Sequence, residues 1–191
     1  MRLKCDGFFG AERFRDMDRP IYLGLYDIDN LDRLESIEYQ KLKSQPNAQS
    51  AWMLSNTLEY ERYTANLIST ALAENVEEHD AMKASVLRVI FFSVPDEREE
   101  DFNHWYDREH IPAILKTPGW MMVRRFYIEE FTPSPWSHLT LQYIKDYDAV
   151  HNTKRDNARE SNTYNRLSKE PWFRPSISLY ERFGDPIYAS K

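Results

Sequence analysis

The feature that most constrains this chain of 191 residues is that it repeats itself. Gly7-Phe8-Phe9-Gly10-Ala11-Glu12-Arg13-Phe14 aligns with Gly119-Trp120-Met121-Met122-Val123-Arg124-Arg125-Phe126. After each come a turn and an apolar-rich strand, IYLGLYDID (21–29) and HLTLQYIKDYD (138–148). Polar, helix-prone stretches follow at 30–44 and 149–166. Each half closes on Tyr-Glu-Arg-aromatic, Tyr60-Glu61-Arg62-Tyr63 and Tyr180-Glu181-Arg182-Phe183. Matched landmarks in one order imply a single supersecondary plan used twice.

The second copy has a beginning that the first lacks. Ser85–Val94 (SVLRVIFFSV) is a near-continuous apolar run of strand length, suited to a strand covered on both faces. Pro95-Asp96 and the acids Glu97, Glu99 and Glu100 suit a helix start, and a helix over 97–110 is predicted. Pro112 is expected to end that helix, because proline removes a donor and clashes with the preceding turn. Pro118-Gly119 marks the return to a strand. The second copy thus reads β-α-β-β-α-β, the ferredoxin-like plan. The expected organisation is a partial half over 1–70, a linker over 71–84, a complete half over 85–184 and a tail over 185–191. The incomplete first half leaves strand hydrogen-bonding groups without a partner, which predicts a homodimer or larger assembly.

Composition narrows the function classes. With 41% hydrophobic residues the chain can bury a core. A net charge of −6 argues against duplex nucleic acid as a partner. The single cysteine, Cys5, allows no internal disulfide and no cysteine-based zinc site. The absence of an 18-residue apolar run, or of a leader-like start, predicts a soluble cytoplasmic protein without a membrane partner.

The segment Phe102-Asn103-His104-Trp105-Tyr106-Asp107-Arg108-Glu109-His110-Ile111-Pro112, followed by Pro118-Gly119-Trp120 and Arg124-Arg125-Phe126, resembles the EthD-like branch of the dimeric α+β barrel superfamily. The resemblance spans 85–184 as a full repeat and 6–69 as a partial one. It implies an α+β fold, a ferredoxin-like tandem repeat forming a dimeric α+β barrel type of architecture. Relatives include cofactor-independent polyketide cyclases, isomerases, small monooxygenases and proteins without assigned activity.

His110 is the strongest chemical candidate, since histidine exchanges a proton near neutral pH. The resemblance implies that it works with Tyr106, and Asp107, one turn earlier, is placed to orient its ring. Arg125 is a candidate to stabilise an enolate oxygen. The competing reading makes His110 a helix-end residue bonded to a loop carbonyl. As a catalyst, it predicts a pH–rate limb between about 5.5 and 7.5. Arg124 and Arg125 point to opposite faces of one strand. They bind an anionic ligand oxygen or pair with Glu61 and Glu181 inside a barrel. Trp105, Trp120, Phe126 and Tyr143, with Arg124, are the candidate substrate-binding residues, or plain core. His104 faces solvent, His138 and His151 sit among polar neighbours, and His79 lies in the linker. No metal-ligand spacing is present, so neither metal nor cofactor is expected. The expected activity is a cofactor-independent proton transfer on a small hydrophobic oxygenated, polyketide-like molecule, in a cyclisation, isomerisation or elimination. A small monooxygenase, or a non-catalytic binding or assembly protein, is the alternative.

Overall fold

The computed structural model describes residues 2–57, 59–132 and 136–189, so the last two residues of the expected tail lie outside the described residues. One antiparallel layer of strands carries the chain. The strands are β1 (Phe8–Asp16), β2 (Tyr22–Ile28), β3 (Arg62–Leu72), β4 (Val86–Phe92), β5 (Trp120–Thr132), β6 (His138–Ile144), β7 (Ser176–Arg182) and β8 (Ile187–Tyr188). The helices are α1 (Ile37–Ser44), α2 (Ala48–Asn56), α3 (Glu78–Ala81), α4 (Glu99–Trp105), α5 (Ile111–Ile114), α6 (Tyr147–Val150) and α7 (Asn162–Leu167). A π-helical turn over Tyr106–His110 joins α4 to α5, and a 3-10 segment covers Thr153–Arg159.

The sheet runs β2-β1-β7-β4-β6-β5-β3, all neighbours antiparallel, with β8 also pairing β1. Within 85–184 the order β7-β4-β6-β5 is the ferredoxin-like arrangement. β1 and β3 attach to opposite sides of that set, on β7 and β5, so both halves share one sheet. The sheet curls. Arg124 on β5 bonds Asp27 on β2 at 2.8 Å, although β5 and β2 stand near opposite ends of the strand order. This is a mixed α+β fold with a curled, barrel-like sheet.

Burial follows from that placement. Every residue of β6 is buried and β4 is buried on both faces, because helices cover one side and the barrel interior the other. β1 alternates buried and exposed residues, as a strand with one covered face must. Two cores result. One lies between sheet and helices and includes Phe92, Phe102, Trp105, Tyr106, Trp120 and Phe173. The other fills the barrel interior with Phe14, Leu87, Val89, Met122, Leu141 and Tyr143.

Some expectations are corrected here. The linker is not only a connection: Ala81, Met82 and Ala84 are buried and plug the barrel interior. The tail returns to the sheet, with Ala11 opposite Ile187 and Gly10 opposite Tyr188. The Tyr-Glu-Arg landmarks do not superpose. Phe14 faces Arg182 whereas its counterpart Phe126 faces Leu67, five positions beyond Arg62. α2 was not legible as a helix and has no buried residue, leaving Trp52, Met53 and Leu54 exposed.

Candidate functional site

Pro112 does not end its helix. It stands at the start of α5, where the π turn immediately before it widens the backbone and relieves the contact that an α-helix would force. The bulge brings His110 under the layer formed by the 3-10 segment and α7. His110 is 8% exposed, and its ring centroid lies 4.8 Å from Trp105 and 4.9 Å from Tyr106. Nδ1 is 3.1 Å from the Ala158 carbonyl oxygen. A carbonyl only accepts, so Nδ1 carries the hydrogen and the lone pair of the neutral ring resides on Nε2.

Burial is the main reason that His110 titrates at about 4. The hydrogen bond to the Ala158 carbonyl opposes that shift, and the charges of Arg88, Arg159 and Arg125 add to it. The ring is therefore neutral at pH 7. The limb expected between about 5.5 and 7.5 moves down accordingly. Tyr106 also remains protonated, burial raising its pKa above the ordinary value.

His110, Trp105 and Tyr106 line a cleft of about 230 Å³ between the helical layer and the outer face of β4 and β7. This is below the roughly 300–1,000 Å³ of most ligand pockets and suits a small molecule. Ile90, Phe92, Ile114, Tyr164, Phe173 and Ile177 supply further apolar wall. The indole N–H of Trp105 has no hydrogen-bond partner among the described residues.

Arg88, Arg155, Arg159 and Arg174 also line it, and none of them was singled out from the sequence. Arg88 Nη1 donates to Gln142 Oε1 at 3.1 Å. Arg155 Nη1 donates to the Val150 carbonyl at 2.6 Å, and Arg174 Nη1 to that of Phe173 at 3.1 Å. Arg155 and Arg159 each reach Asp156 only at 3.8 Å. Burial lowers the pKa of Arg88, with Arg159 and Arg155 adding to the effect. The available signal was an arginine at the centre of an otherwise apolar strand, since a buried charge demands a partner.

The other candidate residues stand elsewhere. Asp107 does not orient His110. Its carboxylate accepts from Arg125 Nη1 at 2.7 Å and from the Ser69 hydroxyl at 3.1 Å, and the Ala158 carbonyl holds the imidazole instead. Arg125 is 1% exposed, bonded also to Asn103 Oδ1, with its guanidinium carbon 4.6 Å from the Tyr106 ring centroid. It braces the helix from behind the cleft. Arg124 points into the barrel to Asp27. Asp27 and Asp107 are thus the arginine partners, not Glu61 and Glu181; Glu181 pairs with Arg15. Burial opposes the charge of Arg124, but the hydrogen bond and charge of Asp27 prevail and raise its pKa. Trp120 is core, its Nε1 donating to Gln142 Oε1 at 3.1 Å. Phe126 packs on the barrel side beneath Arg124. Tyr143 donates to Glu12 Oε1 at 2.8 Å, and Glu12 also receives Arg182 Nη2 at 2.8 Å.

His138 proves buried rather than set among polar neighbours. It packs 5.2 Å from Phe102 and 5.6 Å from Tyr127, ring to ring. Burial, then the charge of Arg125, lowers its pKa to about 4. Among the described residues no group of three or more His, Cys, Asp or Glu side chains is placed to hold a metal ion. No described helix is long and apolar enough to cross a membrane.

Neither a protein-family model nor a curated protein matches the sequence. Solved structures do match the fold. An anthrone oxidase-like protein superposes with a TM-score of 0.69 at 11% identity, covering 97% of this chain and 81% of that one. A protein proposed to be a monooxygenase, from Lactobacillus acidophilus, gives 0.53 at 12% identity, covering 98% and 84%. Another such protein, from Fusobacterium nucleatum, gives 0.55 at 10% identity, covering 97% and 82%. Identities this low establish the fold alone, a curled antiparallel sheet covered by helices.

Proposed function

We propose that the cleft is the active site of a cofactor-independent enzyme that removes a proton from a small, aromatic, oxygenated molecule. One observation carries this reading: Ala158 holds the His110 Nδ1–H, so the neutral ring keeps its basic Nε2 lone pair at the edge of a cleft walled by Trp105 and Tyr106. Proton removal beside a carbonyl produces an enolate, the common first step of cyclisation, isomerisation, elimination and cofactor-free oxygenation. Tyr106, whose hydroxyl also bonds Thr140, supplies a protonated hydroxyl, and the buried side chains of Trp105, Tyr106 and His110 keep water from the floor of the cleft.

The likeness to an anthrone oxidase-like fold supports an activated ketone as the probe. Anthrone carries a methylene between two rings, conjugated to its carbonyl. Its enolate reacts with dioxygen to give anthraquinone and water, so formation of the quinone reports deprotonation. The wild-type chain is expected to accelerate this conversion and His110→Gln to remove at least 100-fold of the acceleration. Equal rates for the two proteins, with both folded, refute the assignment. A binding protein without catalysis predicts such equality.

The homodimer belongs to the same proposal. β2 and β3 each have a single strand neighbour, and Trp52, Met53, Leu54, Leu67 and Leu72 are exposed nearby in sequence. Light scattering at micromolar concentration is expected to give about twice the 22.9 kDa chain mass, and a monomer mass refutes it.

A further inference from the structure

We infer that the molecule bound in this cleft carries a carboxylate, gripped by Arg88 together with Arg155 and Arg159, on an aromatic frame that rests against Trp105, Tyr106 and Phe173. The inference rests on the cleft being a small-molecule site and goes on to name the ligand class. The chain has 31 acidic residues, yet the cleft lining holds four arginines and no acid. Asp156 approaches two of them only at 3.8 Å, with its side chain 56% exposed.

Arg88 is the least compensated of these cations. Its neighbours across the ladder are Gln142 on β6 and Leu179 on β7, and no described carboxylate lies within ion-pair distance. Arg155 Nε is buried and has no hydrogen-bond partner among the described residues. Positive charges crowded into a partly desolvated cleft repel each other, so an anion entering there gains more than it would at a surface. A guanidinium fork matches the two oxygens of a carboxylate. The aromatic walls select an organic acid over an inorganic oxyanion, which would leave those rings wetted. Arg88 and Arg159 also act against protonation of His110, so a bound carboxylate offsets them and makes the base stronger once substrate is in place.

Calorimetric titration of the purified protein with 2-naphthoate, 2-naphthamide and sodium sulfate tests this. The acid is expected to bind at least tenfold more tightly than the amide, and sulfate to compete only weakly. Arg88→Met should abolish the preference for acid while raising the melting temperature of the ligand-free protein, because a half-buried cation without a carboxylate partner is gone. Equal affinities, or no binding of either naphthyl compound, overturn the inference, as does sulfate competing as well as naphthoate or Arg88→Met retaining the preference. Should Arg88→Met fail to fold, Arg159→Gln at the cleft rim is expected to cost the acid several-fold in affinity and the amide nothing; an equal loss for both overturns it. His110→Gln separates this inference from the proton-transfer reading. That variant keeps the acid preference, and an acid preference in a wild-type protein that turns over no ketone upholds the ligand class while removing the reaction.

Discussion

Replacing Asp107 by alanine strips from an enclosed cation the only carboxylate that pairs with it among the described residues. Arg125 is 1% exposed, and Asp107, its side chain 33% exposed, lies 2.7 Å away. At a charge separation of about 4 Å the attraction is about 4 kcal/mol for an effective dielectric near 20 and about 1 kcal/mol in bulk water. Breaking a fully buried pair costs about 3–5 kcal/mol, and the partial exposure of Asp107 reduces that figure. A loss of about 2–3 kcal/mol is expected, which for a chain of this size lowers the melting temperature by about 4–12 °C. Most of that cost comes from the stranded arginine rather than from a missing attraction. Adding Arg125→Met to Asp107→Ala should therefore recover at least half of the lost stability, since methionine suits the space beside Phe102 and Tyr106. Urea unfolding of the two variants and the wild type measures all three free energies. A loss below about 1 kcal/mol in the single variant, or a double variant no more stable than the single, refutes the view of this pair as a brace.

Acid sensitivity should trace to two histidines. His110 and His138 are held to about 4 where a free histidine titrates near 6.5, so between those values the unfolded chain takes up protons that the native chain refuses. Stability is present above about pH 6.5 and falls as pH drops toward 4, by at most about 3 kcal/mol for each ring; urea midpoints across this range should fall less steeply in His110→Gln and least in the His110→Gln/His138→Gln pair. Tyr143→Phe removes a hydrogen bond to buried Glu12 in the barrel interior, so urea unfolding should show a loss of about 1–3 kcal/mol while titration shows naphthoate affinity unchanged. Gly119→Ala places a methyl 2.3 Å from the Ala149 side chain at a φ of +92°, and thermal melting should reveal a loss of more than about 2 kcal/mol.

Local pattern foretold much of the second half. The apolar run at 85–94 became a two-sided central strand, and the aromatic spacing in 97–110 became one buried helix face, because both are periodicities that neighbouring residues enforce. The course of the helix through Pro112 was not legible: a proline normally stops a helix, and only the π turn, which has no side-chain signature, accommodates it. Trp105, Tyr106 and His110 meet in the cleft because one helix carries all three. Arg124, Phe126 and Tyr143 stand on the other face of a sheet whose curl is a long-range property. The arginines of the cleft come from β4, the 3-10 segment and the turn at 174, separated by up to 86 positions, so no spacing in the chain announces their convergence. Arg88 alone carried a local signal, as a charge inside an apolar strand.

Deuterium exchange at the anthrone methylene, followed by NMR under argon in deuterated buffer, isolates the proton-transfer step from any later reaction. The wild-type protein should accelerate exchange above the buffer rate, increasingly so as pD rises through the range near 4 where His110 loses its proton, and His110→Gln should return the rate to that of buffer. Exchange that is no faster than in buffer, or that persists undiminished in a folded His110→Gln variant, contradicts the assignment of His110 as the base.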